Sequence, residues 1–415
     1  MSHLPFGRII YGYGALLLTL LTGPGLAEAQ TQGPDTRAAE TTAAQPGEDH
    51  GLVTAGKRVM EWFTRPLHPE LHGVASGGGL GTGVGYTHEP DGDRGWFTDT
   101  EAVITLRRYW SAHAESGYAW PRGRASAFVR TRDMNRLNFF GPTNESLLSG
   151  RTTFRLEERV VGGLGSVDLW RGLALTWRVE EIWPVLDRGR HPSYPSVEDL
   201  FSEPQAPGVA TDQPRYGHYH AALDMAHPAG PQDVRTPGTR ARVGLSVFDD
   251  QTLDRWSFRR LDVEGQHRFR MPGPNGRLTL HVLVQTTDTG TGHNVPFYMQ
   301  PTLGGNSRVR SFREELIGSD DTTATLRGFT DLRFRDRNAI LGQAEYRWTV
   351  WKWIDATVFV DAGKVAPRAV ELDIQNLKES YGFSLSYMQD GRARGRLDAG
   401  FGGGEGATLF LSLGI

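Results

Sequence analysis

Apolar and polar residues alternate along this chain from about Gly73 to the C-terminus. The last segment shows it plainly. Leu409, Leu411, Leu413 and Ile415 fall on one face, and Thr408, Phe410, Ser412 and Gly414 on the other. Leu173, Leu175, Trp177 and Val179 oppose Ala174, Thr176, Arg178 and Glu180; Leu278, Leu280, Val282 and Val284 oppose Thr279, His281, Leu283 and Gln285. A period of two is the mark of β-strands, and no helix-length pattern interrupts it. A soluble sandwich also alternates, but here both faces need an explanation over the whole tract. One face in lipid and one in a wet lumen supplies it. The pattern predicts an all-β fold, a transmembrane antiparallel β-barrel. Counting segments gives roughly 14 to 18 strands, and the even-number rule favours sixteen. Trp96, Trp110, Tyr118, Trp183, Trp351 and Trp353, near segment ends, suit an aromatic girdle. The Pro-rich stretch 184–215 reads as a long extracellular loop.

The N-terminal part has a different texture. Arg8 precedes a short apolar core, Ala15 to Leu21, which Pro24 and Gly25 break; Ala27-Glu28-Ala29 then has a small-x-small form. Residues 1–29 read as a signal peptide cleaved after Ala29. Residues 30–54 are polar and read as a disordered linker. Residues 55–72 read as a short periplasmic helix or plug segment ended by Pro66 and Pro69, and residues 73–415 as the barrel.

Composition narrows the class further. No later stretch approaches the roughly 18 to 20 consecutive apolar residues of a membrane helix, a criterion that a barrel escapes. Net charge is −3 with both signs interspersed, so nothing points to nucleic acid. Without cysteine there are neither disulfides nor thiolate metal sites.

The candidate chemistry centres on one arginine. Gln343, Glu345 and Arg347 share a face on one segment; Asp355, Thr357, Phe359 and Asp361 share a face on the next. Glu345 and Asp361 are thus two inward carboxylates on neighbouring strands. Arg327 lies on the loop before them, beside Gly328, which allows a tight turn. A guanidinium between two carboxylates makes charge-assisted, bidentate hydrogen bonds that lysine cannot copy. A near-copy, Arg308-Val309-Arg310-Ser311-Phe312, offers Arg310 as the competing arginine, with Ser where Gly is wanted. His218, His220 and His227 share imidazole chemistry with metal sites, but no carboxylate is fixed beside them, and they read as solvated strand residues. Asp249-Asp250 and Asp320-Asp321 lack the ligand count of a calcium site. No GxSxG is present. The expectation is a protein that is not an enzyme, with no metal and no cofactor.

Leu303-Gly304-Gly305, Leu326-Arg327-Gly328-Phe329, Arg333-Phe334-Arg335-Asp336-Arg337-Asn338, Ala344-Glu345-Tyr346-Arg347-Trp348 and Phe359-Val360-Asp361-Ala362-Gly363-Lys364 together resemble the C-terminal barrel of the BamA/TamA superfamily, the bacterial surface antigen domain. The resemblance extends upstream through Asn138-Phe139-Phe140-Gly141, Pro195 to Phe201, and Ser257 to Asp262. It implies a sixteen-stranded Gram-negative outer-membrane barrel whose sixth extracellular loop folds into the lumen. Its tip arginine, matching Arg327 with Gly328 and Phe329, then contacts acidic residues matching Glu345 and Asp361. The lock shapes the barrel and is not an enzyme site.

The resemblance further implies help with protein insertion into, or translocation across, the outer membrane, with lipids and unfolded protein clients as partners. The alternative is a passive channel or structural protein. Segment 30–72 is too short for the family's periplasmic POTRA domains, so a barrel lacking them is expected. The spacing from Gly305 to Leu326 is long for the family, and the chain ends Leu413-Gly414-Ile415 rather than on an aromatic residue. A weak seam between first and last strands is expected at Gly81, Gly83 and Gly85 against Leu411 and Leu413, because glycines pack and pair poorly.

Overall fold

The two-residue period becomes one continuous antiparallel ladder in the computed structural model, which describes residues 66–75, 77–210, 212–227, 238–305, 325–389 and 392–413. In chain order the strands are β1 (Leu67–Glu70), β2 (Gly81–His88), β3 (Gly95–Thr105), β4 (Trp110–Trp120), β5 (Gly123–Phe139), β6 (Thr152–Trp170), β7 (Leu173–Arg188), β8 (Tyr216–His227), β9 (Gly238–Asp250), β10 (Phe258–Arg270), β11 (Arg277–Thr289), β12 (Thr302–Leu303), β13 (Phe334–Arg335), β14 (Asn338–Trp351), β15 (Ile354–Ala366), β16 (Lys378–Gln389), β17 (Arg392–Gly402) and β18 (Ala407–Leu413). Sixteen of them form the main sheet, each paired with its neighbour in order; β12 and β13 form a separate two-stranded sheet, and Arg335 of β13 also bridges Thr143. The expected strand number is the observed one. Among the described residues no backbone pairing joins β1 to β18, so the ladder curls into a barrel without being closed.

The faces are inverted relative to a water-soluble sheet. Along β10 and β11, Leu261, Val263, Leu280 and Val282 are exposed, while Asp262, Glu264, Gln266 and Gln285 are buried. Arg178 and Glu180 are likewise buried between exposed Trp177 and Val179 on β7. Apolar side chains outward and charged side chains inward is the texture of a barrel in lipid.

Connections fall into two sets. At one end they run through 71–80, 106–109, 140–151, 189–215, 251–257, 290–337, 367–377 and 403–406; at the other most are short turns, such as 121–122, 171–172 and 352–353. Long loops mark the extracellular end of such barrels, which makes 290–337 the sixth outer loop. Exposed Trp96, Tyr118, Trp351 and Trp353 sit at the short-turn end, joined there by Trp120 and Trp170, so the aromatic belt is concentrated at the periplasmic rim. Trp110 is exposed near the outer end, and Trp183 is only half-buried.

Several expectations shift. The signal peptide, the linker and residues 55–65 of the expected helix lie outside the described residues. Residues 67–70 of that segment form a strand instead, with Pro69 opposite Val84. Proline lacks a backbone donor and is tolerated on a sheet edge, and β1 is such an edge. The expected loop at 184 begins later, because β7 continues to Arg188.

The outer mouth is filled. Phe139, Phe154, Tyr216, Phe248, Trp256, Phe258, Phe297 and Tyr298 form one buried aromatic cluster from strand ends and the base of the sixth loop. Arg335 lies inside it at 1% exposure. Its guanidinium faces the Phe139, Phe154 and Phe297 rings, and Nη1 donates to the Phe297 carbonyl at 2.8 Å.

Val282, near the middle of β11, reads the outer environment directly. Val282→Lys should destabilise the barrel refolded in lipid vesicles by about 2–4 kcal/mol in urea unfolding, whereas Val282→Leu should be close to neutral. Equal stability of the two variants would place that face away from lipid.

Candidate functional site: the lumen arginine

The sixth outer loop turns back into the barrel, and its own backbone explains how. Gly305 N–H donates to the Leu326 carbonyl at 3.3 Å, and Leu332 N–H to the Gly304 carbonyl at 3.1 Å. The two ends of the long spacing noted above are therefore adjacent, and residues 306–324, with Arg310, lie outside the described residues. Gly304 and Gly305 have φ of 115° and 108°, which only glycine adopts without strain. Phe329 N–H closes a turn on the Leu326 carbonyl at 3.0 Å. Leu303, Leu326, Phe329, Phe334, Ala339, Leu341 and Val365 form the small apolar core that seats this turn.

Arg327 leaves the turn toward the wall. Register pairs Gln343 with Asp361 and Glu345 with Phe359, so Glu345, Phe359 and Asp361 form one inward patch on β14 and β15. Arg327 Nε donates to Asp361 Oδ2 at 2.9 Å and its backbone N–H to the same oxygen at 3.0 Å. Its Nη2 donates to Asp361 Oδ1 and its Nη1 to Glu345 Oε1. The guanidinium carbon stands 3.5 Å from the centroid of the Phe359 ring. One arginine thus spans two carboxylates and an aromatic face, an arrangement that a point-charge ammonium cannot copy.

The surroundings complete the pairing. Gln343 Nε2 donates to Asp361 Oδ1 at 3.2 Å and Ser380 Oγ to Oδ2 at 3.4 Å. Arg396 on β17 reaches Glu345 Oε1 at 3.4 Å and Asp398 at 2.8 Å. Burial pulls the Arg327 pKa down, but Glu345 and Asp361 outweigh it, so the pKa ends above the ordinary guanidinium value. The group is a permanent cation.

Close approach decides the role of the glycines. Gly328 does not have positive φ, so the tight-turn reason expected for it is replaced by a steric one. A Cβ there would overlap the backbone of Phe401 and Gly402. A Cβ at Gly400 would overlap the Arg327 carbonyl, and those at Gly402 and Gly403 would press on the Phe329 ring. These β17 positions form a groove for the loop tip.

The seam residues do not meet. Gly81, Gly83 and Gly85 lie on β2, flanked by β1 and β3, and the edge strand is β1. Leu411 and Leu413 lie on β18 opposite Leu397 and Gly395. The β2 glycines are explained by crowding, since a Cβ at Gly83 would overlap the Ala102 backbone. His218 and His220 are not solvated either: His218 bonds Glu180 at 2.7 Å and His220 bonds Ser246 at 2.9 Å within the lumen. Asp250 is buried and accepts backbone N–H groups from Thr252, Leu253, Arg255 and Trp256, capping the fifth outer loop.

The sequence reading did not find the long-range ties. Asn138 Nδ2 donates to the Asp331 carbonyl, Arg333 reaches both Ser146 and Glu405, and Asn144 donates to the Asn376 carbonyl. Each lies in or near a motif, but its partner is far along the chain.

Arg327→Ala should lower the temperature at which the folded barrel loses its compact electrophoretic migration in detergent. Breaking a buried ion pair costs about 3–5 kcal/mol. Arg310→Ala should do much less, and equal effects would mean that the wrong arginine was chosen. Gly328→Val should act in the same direction as Arg327→Ala, because it lifts the tip off β17.

Residues 235–404 match the Omp85 superfamily domain, a span that contains the sixth loop, β14, β15 and the glycine groove. BamA from Haemophilus ducreyi lacking POTRA domains 1–3 superposes with a TM-score of 0.55 at 11% identity, over 89% of this chain and 79% of that one. CdiB from Escherichia coli gives a TM-score of 0.52 at 13% identity, over 83% of this chain and 62% of its own length. No curated protein sequence matches. The segment that carries Arg327, Glu345 and Asp361 matches the Omp85 superfamily domain, and the chain around it shares the β-barrel fold of BamA and CdiB.

Proposed function

We propose that this barrel assists the insertion of proteins into, or their translocation across, the outer membrane. The observation that carries the reading is a lumen loop held fast beside a ladder whose two terminal strands are not paired. β1 spans only Leu67–Glu70 and offers few ladder hydrogen bonds to any partner. An edge with unpaired backbone groups is a template for an incoming strand, and a short barrel wall beside it thins the adjoining lipid. Unfolded outer-membrane or secreted proteins are the clients that such an edge suits, with lipid as the second partner. The aromatic cluster at the mouth and the locked loop oppose steady ion flow, so the passive-channel reading has less support.

Planar-bilayer recordings test the plug. The refolded barrel should give low, irregular conductance that rises sharply when residues 303–332 are deleted. High, steady conductance in both proteins would establish an open pore and overturn the reading.

A second test addresses the edge. Because the chain has no cysteine, engineered pairs between β1 and β18, such as Leu67→Cys with Leu409→Cys, form the only possible disulfide. Proteoliposomes carrying the barrel should speed folding of an added unfolded outer-membrane protein; oxidation of the pair should remove the effect and reduction restore it. No acceleration at all would defeat the insertion reading, and acceleration that survives the disulfide would defeat the role of the edge.

A further inference from the structure

β1 presents chemistry that the Arg327 contact does not use. In an extended chain alternate residues share a face, so His68 and Glu70 both point into the lumen, and His72 continues the series just beyond the strand. Glu101 meets them from β3, on the far side of β2. The residue between is Gly85, which pairs with His68 on one side and Glu101 on the other. A Cβ at Gly85 would overlap the Glu70 carboxylate and the His68 Nε2, so the missing side chain is what lets β1 and β3 meet across a strand.

The donor atoms converge. Those of Glu70, His72 and Glu101 all lie within 4.8 Å of one another. His72 Nε2 is 3.1 Å from Glu101 Oε2 and 3.7 Å from Glu70 Oε2. The other Glu70 oxygen, Oε1, is 2.8 Å from His68 Nε2. Both imidazoles commit Nδ1 to the backbone: that of His68 lies 3.1 Å from the Pro66 carbonyl, and that of His72 lies 3.1 Å from the Gly73 carbonyl. A carbonyl only accepts, so each Nδ1 is the donor of its pair, and each Nε2 faces a carboxylate oxygen. That contact can be filled by a proton on each ring or by a shared metal ion.

Protons on the two rings would satisfy the contacts pairwise. They would not require three donors from two strands and a loop to point at one position, beside a glycine that leaves room for the Glu70 carboxylate and His68. We propose that Glu70, His72 and Glu101 form a site for a divalent transition metal ion of the zinc class. Mixed imidazole and carboxylate donors suit such ions, whereas calcium wants six or more oxygens. His68 is a positioning residue that holds the second oxygen of Glu70, as outer partners of metal ligands commonly do. Three protein donors leave a fourth position for water. The ion would fasten the short edge strand and the first outer loop to β3, by a bond that does not depend on ladder hydrogen bonds. Residues 55–72 read as a short helix or plug segment ended by Pro66 and Pro69, with no strand at His68 to Glu70, and so the grouping with Glu101 was not visible.

The test uses the full barrel, refolded in detergent, purified without a polyhistidine tag and stripped with a chelator. Zinc chloride titration by calorimetry, with elemental analysis of the dialysed protein, should find a single zinc ion per chain. Affinity should fall about tenfold or more in His72→Ala, Glu101→Gln and Gly85→Ala, and hold in His88→Ala, an exposed residue at the other end of β2. Heat-dependent electrophoretic migration confirms that each variant is folded, and zinc should raise the transition temperature of the parent and of His88→Ala but not of the other three. No stoichiometric zinc in the folded parent would overturn the proposal, as would equal affinity in His72→Ala or equal loss in His88→Ala.

Discussion

A guanidinium withdrawn from water must be matched where it is withdrawn, and Arg327 sets that condition for the whole C-terminal half. Its charge is buried at 0% exposure, and removing such a group from water costs several kcal/mol unless carboxylates replace the lost solvation. Asp361 and Glu345 do so, and Arg396 in turn offsets the second charge on Glu345. The glycines of β17 let the loop backbone come near enough for the contact to form. A shift in the register of β14 against β15 by one residue would put Glu345 and Asp361 on opposite faces of the wall. The ion pair therefore specifies strand pairing as well as loop position.

The same inversion of inside and outside governs the rest of the wall. Charged residues face a lumen that the sixth loop and an aromatic cluster partly fill, and apolar residues face outward. The loop crosses that space and joins walls from both halves of the chain. The terminal strands share no such bond among the described residues. Rigidity is thus concentrated on β14, β15 and β17, close to the terminal strand β18.

The alternation made the strands, their number and their lipid face legible, because one residue in two must serve each solvent. Period two made Glu345 and Asp361 legible as inward carboxylates on adjacent strands, but Arg327 as their partner came from the family resemblance, because lumen charges need not meet. Other features were hidden. Pro66 and Pro69 read as the end of a helix, although proline is equally at home on a sheet edge, and only the ladder shows which applies. Glycines were read as weak pairing because an empty Cβ position does not state what fills it; Phe329 and the Arg327 carbonyl fill those on β17. The inward side of His218 and His220 follows from period two, but Glu180 as a partner depends on the register between β7 and β8.

The spans of these contacts also order them in time. Arg327 and Asp361 lie 34 residues apart, whereas Asn138 and Asp331 lie 193 apart and Arg333 and Ser146 lie 187 apart. By chain-closure entropy alone the shorter loop forms at an advantage of roughly 1.5 kcal/mol over the longer ones. Contacts near in sequence also form faster. The returning loop can therefore settle against β14, β15 and β17 while the N-terminal strands are still absent. In this view the locked loop is a mould, a finished surface on the C-terminal half against which Asn138 and Ser146 later register the earlier strands.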